Sequence, residues 1–449
     1  MSNYQLRNTI VDLLIRVEKD NGFSHLLIDH ELNSKRIDPQ DEGLLTEIVY
    51  GTIQRKYTID YYLESFVDPK KKLETWVRIL LRMSVYQMIY LDKVPDHAII
   101  HEAVEIAKKR GHKGIASFVN GVLRSMQRKG VPDTASIAND TKRLAIETSH
   151  PEWLIERWIS FYGFETTKEM CEENISRKYS SIRVQPLKIS RDEAIDILNK
   201  QGFETRPSIF SDQGIIIDKG NILKTDLFTE GYITVQDQSS MLVAEMLDVT
   251  PGMHVLDACS APGGKATHIA EKLQNQGEVN AYDIQEKKVK QIITKASDLD
   301  LLTIDAKTSD ARQLQEEHNT ESFDRILIDA PCSGLGVIRG KPEIKYDKKE
   351  SDIKRLSSIQ LDILESVAPL LKVDGLLIYS TCTVDMEENE HVVREFLERN
   401  PNYIIDKNFF TELPARIQES KGITEYGLQL FPQTFQTDGF FMTRLIRKS

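Results

Sequence analysis

The 449-residue sequence predicts three structural parts: an all-α N-terminal bundle, a small α+β module and a C-terminal doubly wound α/β domain. Three observations carry this expectation. Apolar residues recur at helical spacing through the first 130 residues, with no competing strand alternation. Strand-like and helix-like runs then mix between about 176 and 235. From about 240 strands and helices alternate, the order of a parallel sheet with crossover helices. The expected boundaries are 1–135, 145–235 and 236–449.

Each element has a local reason. Leu6, Ile10, Leu13, Leu14 and Val17 lie on one helical face. Further helices are expected at 41–54, 77–91 and 115–126, and after Pro95, where Asp96 is placed to cap a run holding Ile99, Ile100, Ala103, Val104 and Ile106. Residues 130–140 crowd Gly, Pro, Asp and Ser and read as a linker; helix resumes after Pro151 with Trp153, Leu154 and Trp158. Strands at 181–187, 214–218 and 232–235 with a helix at 191–201 suggest an RNA-recognition-like or ferredoxin-like module. In the last part strands are expected at 254–257, 278–283, 303–305, 325–329 and 375–380, with a closing strand at 438–447.

Net charge is −11, which argues against an indiscriminate polyanion binder. The charge is uneven, however: residues 1–130 hold 20 Lys+Arg against 17 Asp+Glu. Screening makes nearby charge count most, so a local basic patch can still bind nucleic acid. Lys70, Lys71 and Lys72, then Lys108, Lys109, Arg110 and Lys113, then Arg124, Arg128 and Lys129 are either solvated helix faces or a nucleic-acid footprint. Four cysteines suit a reducing cytosol, so a cytoplasmic protein is expected. No run of 18 apolar residues occurs, and the start of the chain lacks a signal-peptide layout, so no membrane association is expected.

In doubly wound folds ligands bind beyond the carboxyl ends of the strands. After the first strand of the last domain comes Asp257-Ala258-Cys259-Ser260-Ala261-Pro262-Gly263-Gly264-Lys265, a Gly-rich turn able to present backbone amides to a ligand. It is neither a P-loop, because Cys259 and Ala266 stand where Gly and Ser/Thr are needed, nor a Gly-x-Gly-x-x-Gly dinucleotide turn. Asp283 ends the second strand, where a carboxylate can accept from ribose hydroxyls; Asp310 follows the third and Asp329 ends the fourth. Any one strand-end Asp can be a cap, but four beside a Gly-rich loop point to an adenosine-type cofactor. Cys259, Cys332 and Cys382 occupy the same loops, whereas Cys171 reads as a small buried residue in a helix. No Cys-x-x-Cys pair supports a metal, and none is expected. Two thiols at neighbouring strand ends, one three residues after a carboxylate, suggest covalent catalysis.

The segments DACSAPGGK, DAPCSG and STCT, in that order, resemble the signature of the S-adenosylmethionine-dependent RNA cytosine-5 methyltransferases. GYITVQDQSS, VIRGKPEIKY, MEENE and DGFF narrow the resemblance to the bacterial 16S ribosomal RNA methyltransferase B (RsmB/Sun) family, and GLLTEIVYGTIQR with FVNGVLR is similar to its NusB-like N-terminal domain. The resemblance covers nearly the whole chain. It departs at Ser260 (usually Ala), Ala266 (often Thr) and Thr383 (usually Ser), none of them a reacting group.

Cytosine C5 is a poor nucleophile. A thiolate adding at C6 pushes electron density to C5, which can then take a methyl group; a partner at N3 stabilises the adduct, a role that suits Asp329. The residues alone do not say which cysteine attacks. The resemblance implies Cys382 as nucleophile and Cys332 as the group that assists product release. It also implies a Rossmann-like methyltransferase domain whose cofactor site is lined by Cys259, Ser260, Ala261, Pro262, Gly263, Gly264, Lys265, Asp283, Asp310 and Asp329. The implied partners are S-adenosylmethionine and small-subunit ribosomal RNA, with the protein expected to be a monomer. Competing readings are the same chemistry on transfer RNA or 23S ribosomal RNA, a nucleotide-dependent oxidoreductase, or a non-enzymatic RNA-binding assembly or antitermination factor.

Overall fold

The structure is a computed structural model and describes residues 3–20, 22–34 and 36–449. The chain forms two compact units, Met1–Ser176 with Ile338–Asp347, and Arg177–Val337 with Lys348–Ser449.

The first unit is helical. Its helices are Asn3–Asp20, Ser24–Asn33, Glu42–Gln54, Lys56–Glu64, Thr75–Tyr90, Asp96–Arg110, Lys113–Lys129, Asp140–Thr148 and Glu152–Asn174. Ser24–Asn33 and Lys56–Glu64 had no counterpart in the sequence reading. Thr75–Tyr90 runs through the core and buries Ile79, Leu80, Leu81, Met83 and Val85. Arg82, which interrupts this apolar run, is nevertheless buried. Its guanidinium bonds Asp60 through Nε (2.7 Å) and Nη2 (2.8 Å), and Glu18 at 2.6 Å, so its charge enters the core already paired. Asp96 does not cap its helix: Pro95 holds the N-cap position, and Asp96 is the first helical residue. There its charge still favours the helix N-terminus.

The units divide the chain differently from the expected boundaries. Helices Asp140–Thr148 and Glu152–Asn174, the second expected as linker helix ahead of the α+β module, fall in the helical unit. Thr58 donates to the Ile146 carbonyl (2.6 Å), Gln54 to the Asn174 carbonyl (2.9 Å), and the Tyr57 amide to Ser149 (2.8 Å). The segment Ile338–Asp347 joins this unit as well. Its Glu343 accepts from the amide (3.0 Å) and hydroxyl (2.8 Å) of Ser24. Lys345, with no exposed surface, donates to the Gln54 carbonyl at 2.9 Å, and burial pulls its pKa well below the lysine range.

The second unit begins with a small antiparallel sheet of β1 (Ser180–Val184), β2 (Glu204–Pro207), β3 (Gly214–Lys219) and β4 (Ile233–Val235), in the order β2-β3-β1-β4. Helix Arg191–Lys200, opened by a Ser190/Glu193 capping box, packs its Ala194 and Leu198 against Ile182, Val184, Ile215 and Ile217. β2 escaped the sequence reading because it is an edge strand with mostly exposed, polar side chains and a proline, and so lacks alternation.

The main sheet has nine strands: β5 (His254–Asp257), β6 (Glu278–Asp283), β7 (Ile304–Thr308), β8 (Phe323–Asp329), β9 (Leu371–Thr381), β10 (Tyr403–Ile405), β11 (Ile423–Thr424), β12 (Gly427–Leu430) and β13 (Phe440–Arg447). The order is β11-β12-β13-β9-β8-β5-β6-β7, with β10 also on β13. β5 to β9 are parallel, whereas β13 runs antiparallel to β9, β12 and β10. Both faces are covered. Val255, Leu327 and Ile378 enter one core; their neighbours Leu256, Ile326, Ile328, Leu377 and Tyr379 enter the other, as period-two side chains must. Successive connections diverge on either side of β5, so the crevice lies beyond the ends of β5 and β8.

Candidate active site

Asp257 ends β5 with no exposed surface, and neither carboxylate oxygen has a donor in hydrogen-bonding geometry. Burial pushes its carboxyl up to about 7; the nearby Ser260 hydroxyl pulls it down and the Asp329 charge pushes it further up. The chain then turns through Cys259 and Ser260, whose amide bonds the Tyr282 carbonyl (2.7 Å), and through the Ala261–Pro262 cis bond to Gly263. Gly263 has φ +94°, and a Cβ there would press on the Ile292 backbone at 3.1 Å, so glycine is required twice over. Helix Gly264–Lys272 starts here. Buried Arg183 of β1 fastens it by bonding the Gly264 carbonyl (2.7 Å), Thr267 (2.9 Å) and Glu271 (2.8 Å).

The strand-end carboxylates converge. Burial raises the Cys259 thiol far above its ordinary pKa, and the charges of Asp257, Asp329, Asp283 and Asp310 all add to the rise. Asp283 accepts from the Gln285 amide (3.0 Å). Asp310 caps the following 3-10 turn and is clasped by Arg312 (2.6 Å), whose bonds hold its carboxyl below the ordinary value. Asp329 receives Lys265 Nζ at 2.7 Å and the Ser380 hydroxyl at 2.9 Å, the second because β8 and β9 pair Asp329 opposite Ser380. A Gly-rich cradle and an unpartnered buried carboxylate, ringed by strand-end aspartates, fit the amino, ribose and sulfonium groups of an adenosyl cofactor.

Cys332 and Cys382, on the turns after β8 and β9, stand with their sulfurs 3.3 Å apart and no disulfide between them. The hydrogen bond to Cys382 and then burial hold the Cys332 thiol well above its ordinary pKa. The Cys382 carbonyl accepts from the Gly336 amide (2.9 Å), and the Gly336 carbonyl from Gly439 (2.8 Å). A Cβ on Gly336 would fall 1.9 Å from the Gly439 carbonyl oxygen, so the two loops cross only as glycines.

Sequence reasoning quoted the flanking segments without assigning them work. Glu388 of MEENE receives the Ser333 amide at 2.8 Å. Asn389 receives the Thr381 hydroxyl at 2.5 Å and donates to the Thr383 carbonyl at 3.1 Å, bracing the turn that carries Cys382. Asp237 of VQDQSS and Asp438 of DGFF share Lys178, at 3.3 and 2.6 Å. Lys178 and donors from Thr437 and Ser239 outweigh burial and keep Asp237 well below the carboxylate range. Two of these roles left no local signal, because Glu388 meets Ser333 across 55 residues and Lys178 meets Asp438 across 260. Cys171 is buried in the helical unit, its thiol pushed up to about 12 by burial. Among the described residues there is no group of His, Cys, Asp and Glu able to hold a metal, and no helix long and apolar enough to cross a membrane.

Comparison with known proteins agrees over the whole length. The family description 16S rRNA methyltransferase RsmB/F matches residues 244–446, the NusB family 4–128, and the ferredoxin-like domain of RsmF/B-like methyltransferases 150–223. A probable ribosomal RNA small subunit methyltransferase B of Bacillus subtilis (strain 168) is 46% identical, covering 100% of both chains. A probable ribosomal RNA small subunit methyltransferase B of Synechocystis sp. is 31% identical over 96% of this chain and 97% of its own. The crystal structure of PH0851 superposes with a TM-score of 0.84 at 26% identity, covering 100% of this chain and 99% of its own. The chain belongs to the RsmB/F family of 16S ribosomal RNA methyltransferases, with a NusB-type helical domain at its N-terminus.

Proposed function

We propose that this enzyme methylates C5 of one specific cytidine in 16S ribosomal RNA through a covalent bond from Cys382 to C6. The observation that carries the reading is the pair of thiols 3.3 Å apart at the ends of adjacent strands, beside Asp329. S-adenosylmethionine, the cofactor of this family, supplies an electrophilic methyl group. Cys382 adds to C6, and the electron pair of the C5–C6 double bond moves to C5, which takes the methyl. The C5 proton is then lost to a base, with Cys332 assisting, and the S–C6 bond breaks to restore the ring and free Cys382. Asp329 already accepts from Lys265 and Ser380, so it meets the base as an acceptor for the protonated N3 and the exocyclic amine. Treating 16S RNA from a strain lacking the gene with enzyme and cofactor, followed by bisulfite sequencing, should protect a single cytidine. Methyl transfer only to transfer RNA or 23S RNA would sink the substrate assignment.

The cofactor side predicts that Asp283→Ala weakens S-adenosylmethionine binding by roughly 1–3 kcal/mol, the cost of losing charge-assisted hydrogen bonds. Calorimetry with unchanged affinity would leave Asp283 as a turn former that holds the Gln285 amide.

The helical unit supplies RNA affinity in this reading. Lys70, Lys71, Lys72, Lys108, Lys109 and Lys113 are exposed. Lys71 sits 3.5 Å over the Phe118 ring, and Gly111 lies against Trp76, so loop 70–72 and turn 110–113 meet basic and aromatic groups together. Removing residues before 145 would strip Ile338–Asp347 of its packing, so charge reversal in the full chain is the cleaner test. Lys70→Glu, Lys71→Glu and Lys113→Glu together should weaken RNA binding and flatten its salt dependence by about 0.7 per lost phosphate contact. Cofactor affinity should not change. An unaltered salt slope would return these lysines to plain solvated surface.

A further inference from the structure

Glu388 sits in the loop between β9 and helix Glu390–Arg399 and has no exposed surface. Its Oε1 accepts from the Ser333 amide (2.8 Å) and Gln360 Nε2 (3.0 Å), and its Oε2 accepts from the Ser333 hydroxyl. That hydroxyl also meets Thr383 Oγ1 at 2.9 Å, and Gln360 Nε2 reaches the Pro331 carbonyl at 2.9 Å. The contacted residues are telling. Pro331 and Ser333 flank Cys332, and Thr383 follows Cys382. One buried carboxylate therefore ties together the two turns that carry the thiols, and the Tyr379 hydroxyl holds its own carbonyl in place at 2.6 Å.

We propose that Glu388 is a positioning residue which, when ionised, clamps the Cys332 turn against the Cys382 turn and so sets the rate of product release. The inference rests on the covalent reading given above. As an anion the carboxylate accepts all three donors. Protonated on Oε2, it becomes a donor there, the Ser333 hydroxyl must turn away, and a charge-assisted bond at the junction of the two turns becomes a weaker neutral one. Burial lifts the Glu388 carboxyl to about 7, with the Ser333 donors pulling down and the Asp385 charge pushing up. The titratable groups that face it are Asp385 on its own loop, Cys332 on the β8 turn and Tyr379 on β9; helix Glu350–Val367 presents neutral Gln360. Ionisation falls where it can gate release: the clamp forms as pH rises through about 7 and loosens below it.

The test uses the full-length enzyme, unmethylated 16S RNA and S-adenosylmethionine, and follows the protein–RNA adduct on denaturing gels across pH. Cys332→Ala serves as the reference for blocked release. Glu388→Gln should release product about tenfold more slowly, the size expected for a lost charge-assisted hydrogen bond, and so accumulate adduct. Its cofactor affinity should match the wild type. Wild-type release should quicken as pH rises through about 7, and Glu388→Gln should lack that limb. Ser333→Ala removes the bridging hydroxyl without disturbing a charge; it should show the same slow release and decides the matter if Glu388→Gln does not fold. Adduct in Cys332→Ala, with wild-type release and an intact pH limb in the Glu388 and Ser333 variants, would overturn the inference and leave the covalent reading standing. No adduct even in Cys332→Ala would overturn the release role of Cys332 and the inference with it.

Discussion

Replacing Cys382 with alanine should abolish methyl transfer while leaving S-adenosylmethionine binding near the wild-type level. The sulfur lies at the end of β9, paired with Cys332, and the hydrogen-bonded contacts of the cofactor cradle run through the β5 turn and Lys265 instead. Without an attacking thiolate, C5 stays a poor nucleophile however well the methyl donor is held. The expected loss in rate is on the order of 10⁴-fold or more, the scale seen when a covalent nucleophile is removed. The Cys382 carbonyl, not its side chain, carries the bond from Gly336, so the turn survives the change. Labelled-methyl incorporation measures the rate and calorimetry the binding. Substantial residual turnover would show that Cys382 is not the nucleophile.

The second large effect separates the two thiols. If Cys382 attacks, enzyme and RNA stay joined until the C5 proton is removed and sulfur leaves. Cys332 is 3.3 Å from that sulfur, close enough to act on the same base. Cys332→Ala or Cys332→Ser should therefore attack and methylate but fail to release, accumulating a protein–RNA adduct that survives denaturing electrophoresis. A variant lacking both thiols should form none. If Cys332 merely packs beneath the loop, its variants lose some stability and trap nothing. Adduct in Cys382→Ala, and none in the Cys332 variants, would reverse the two roles.

The strands that build the crevice were readable because each depends on its own residues. Val255 to Asp257, Val279 to Asp283 and Ile326 to Asp329 are mostly apolar runs that stop at an aspartate, and they are strands in the structure. The DACSAPGGK turn was readable for the same reason, since positive φ at Gly263 demands a residue without Cβ. Asp310 shows where this reasoning thins. Its position after a strand is evident in the sequence, yet its clasp by Arg312 is a matter of side-chain placement.

What sequence alone determined, then, is the helical start, the alternating α/β domain and the order of chemical groups at its strand ends, all set by neighbours within one turn or one strand. Tertiary structure decided the rest. It placed Ile338–Asp347 in the helical unit, where Glu343 meets Ser24 across 319 residues. It made Arg82 a core residue rather than a break, because Asp60 and Glu18 arrive from other helices to pair with it. It set β13 antiparallel beside β9, so that Gly439 can cross Gly336 behind Cys382. It also gave Glu388 its place between the two cysteine turns, 55 residues from Ser333. A buried charge or a crossing of two backbones is tolerated only when its distant partner is present, and no local pattern of residues carries that information.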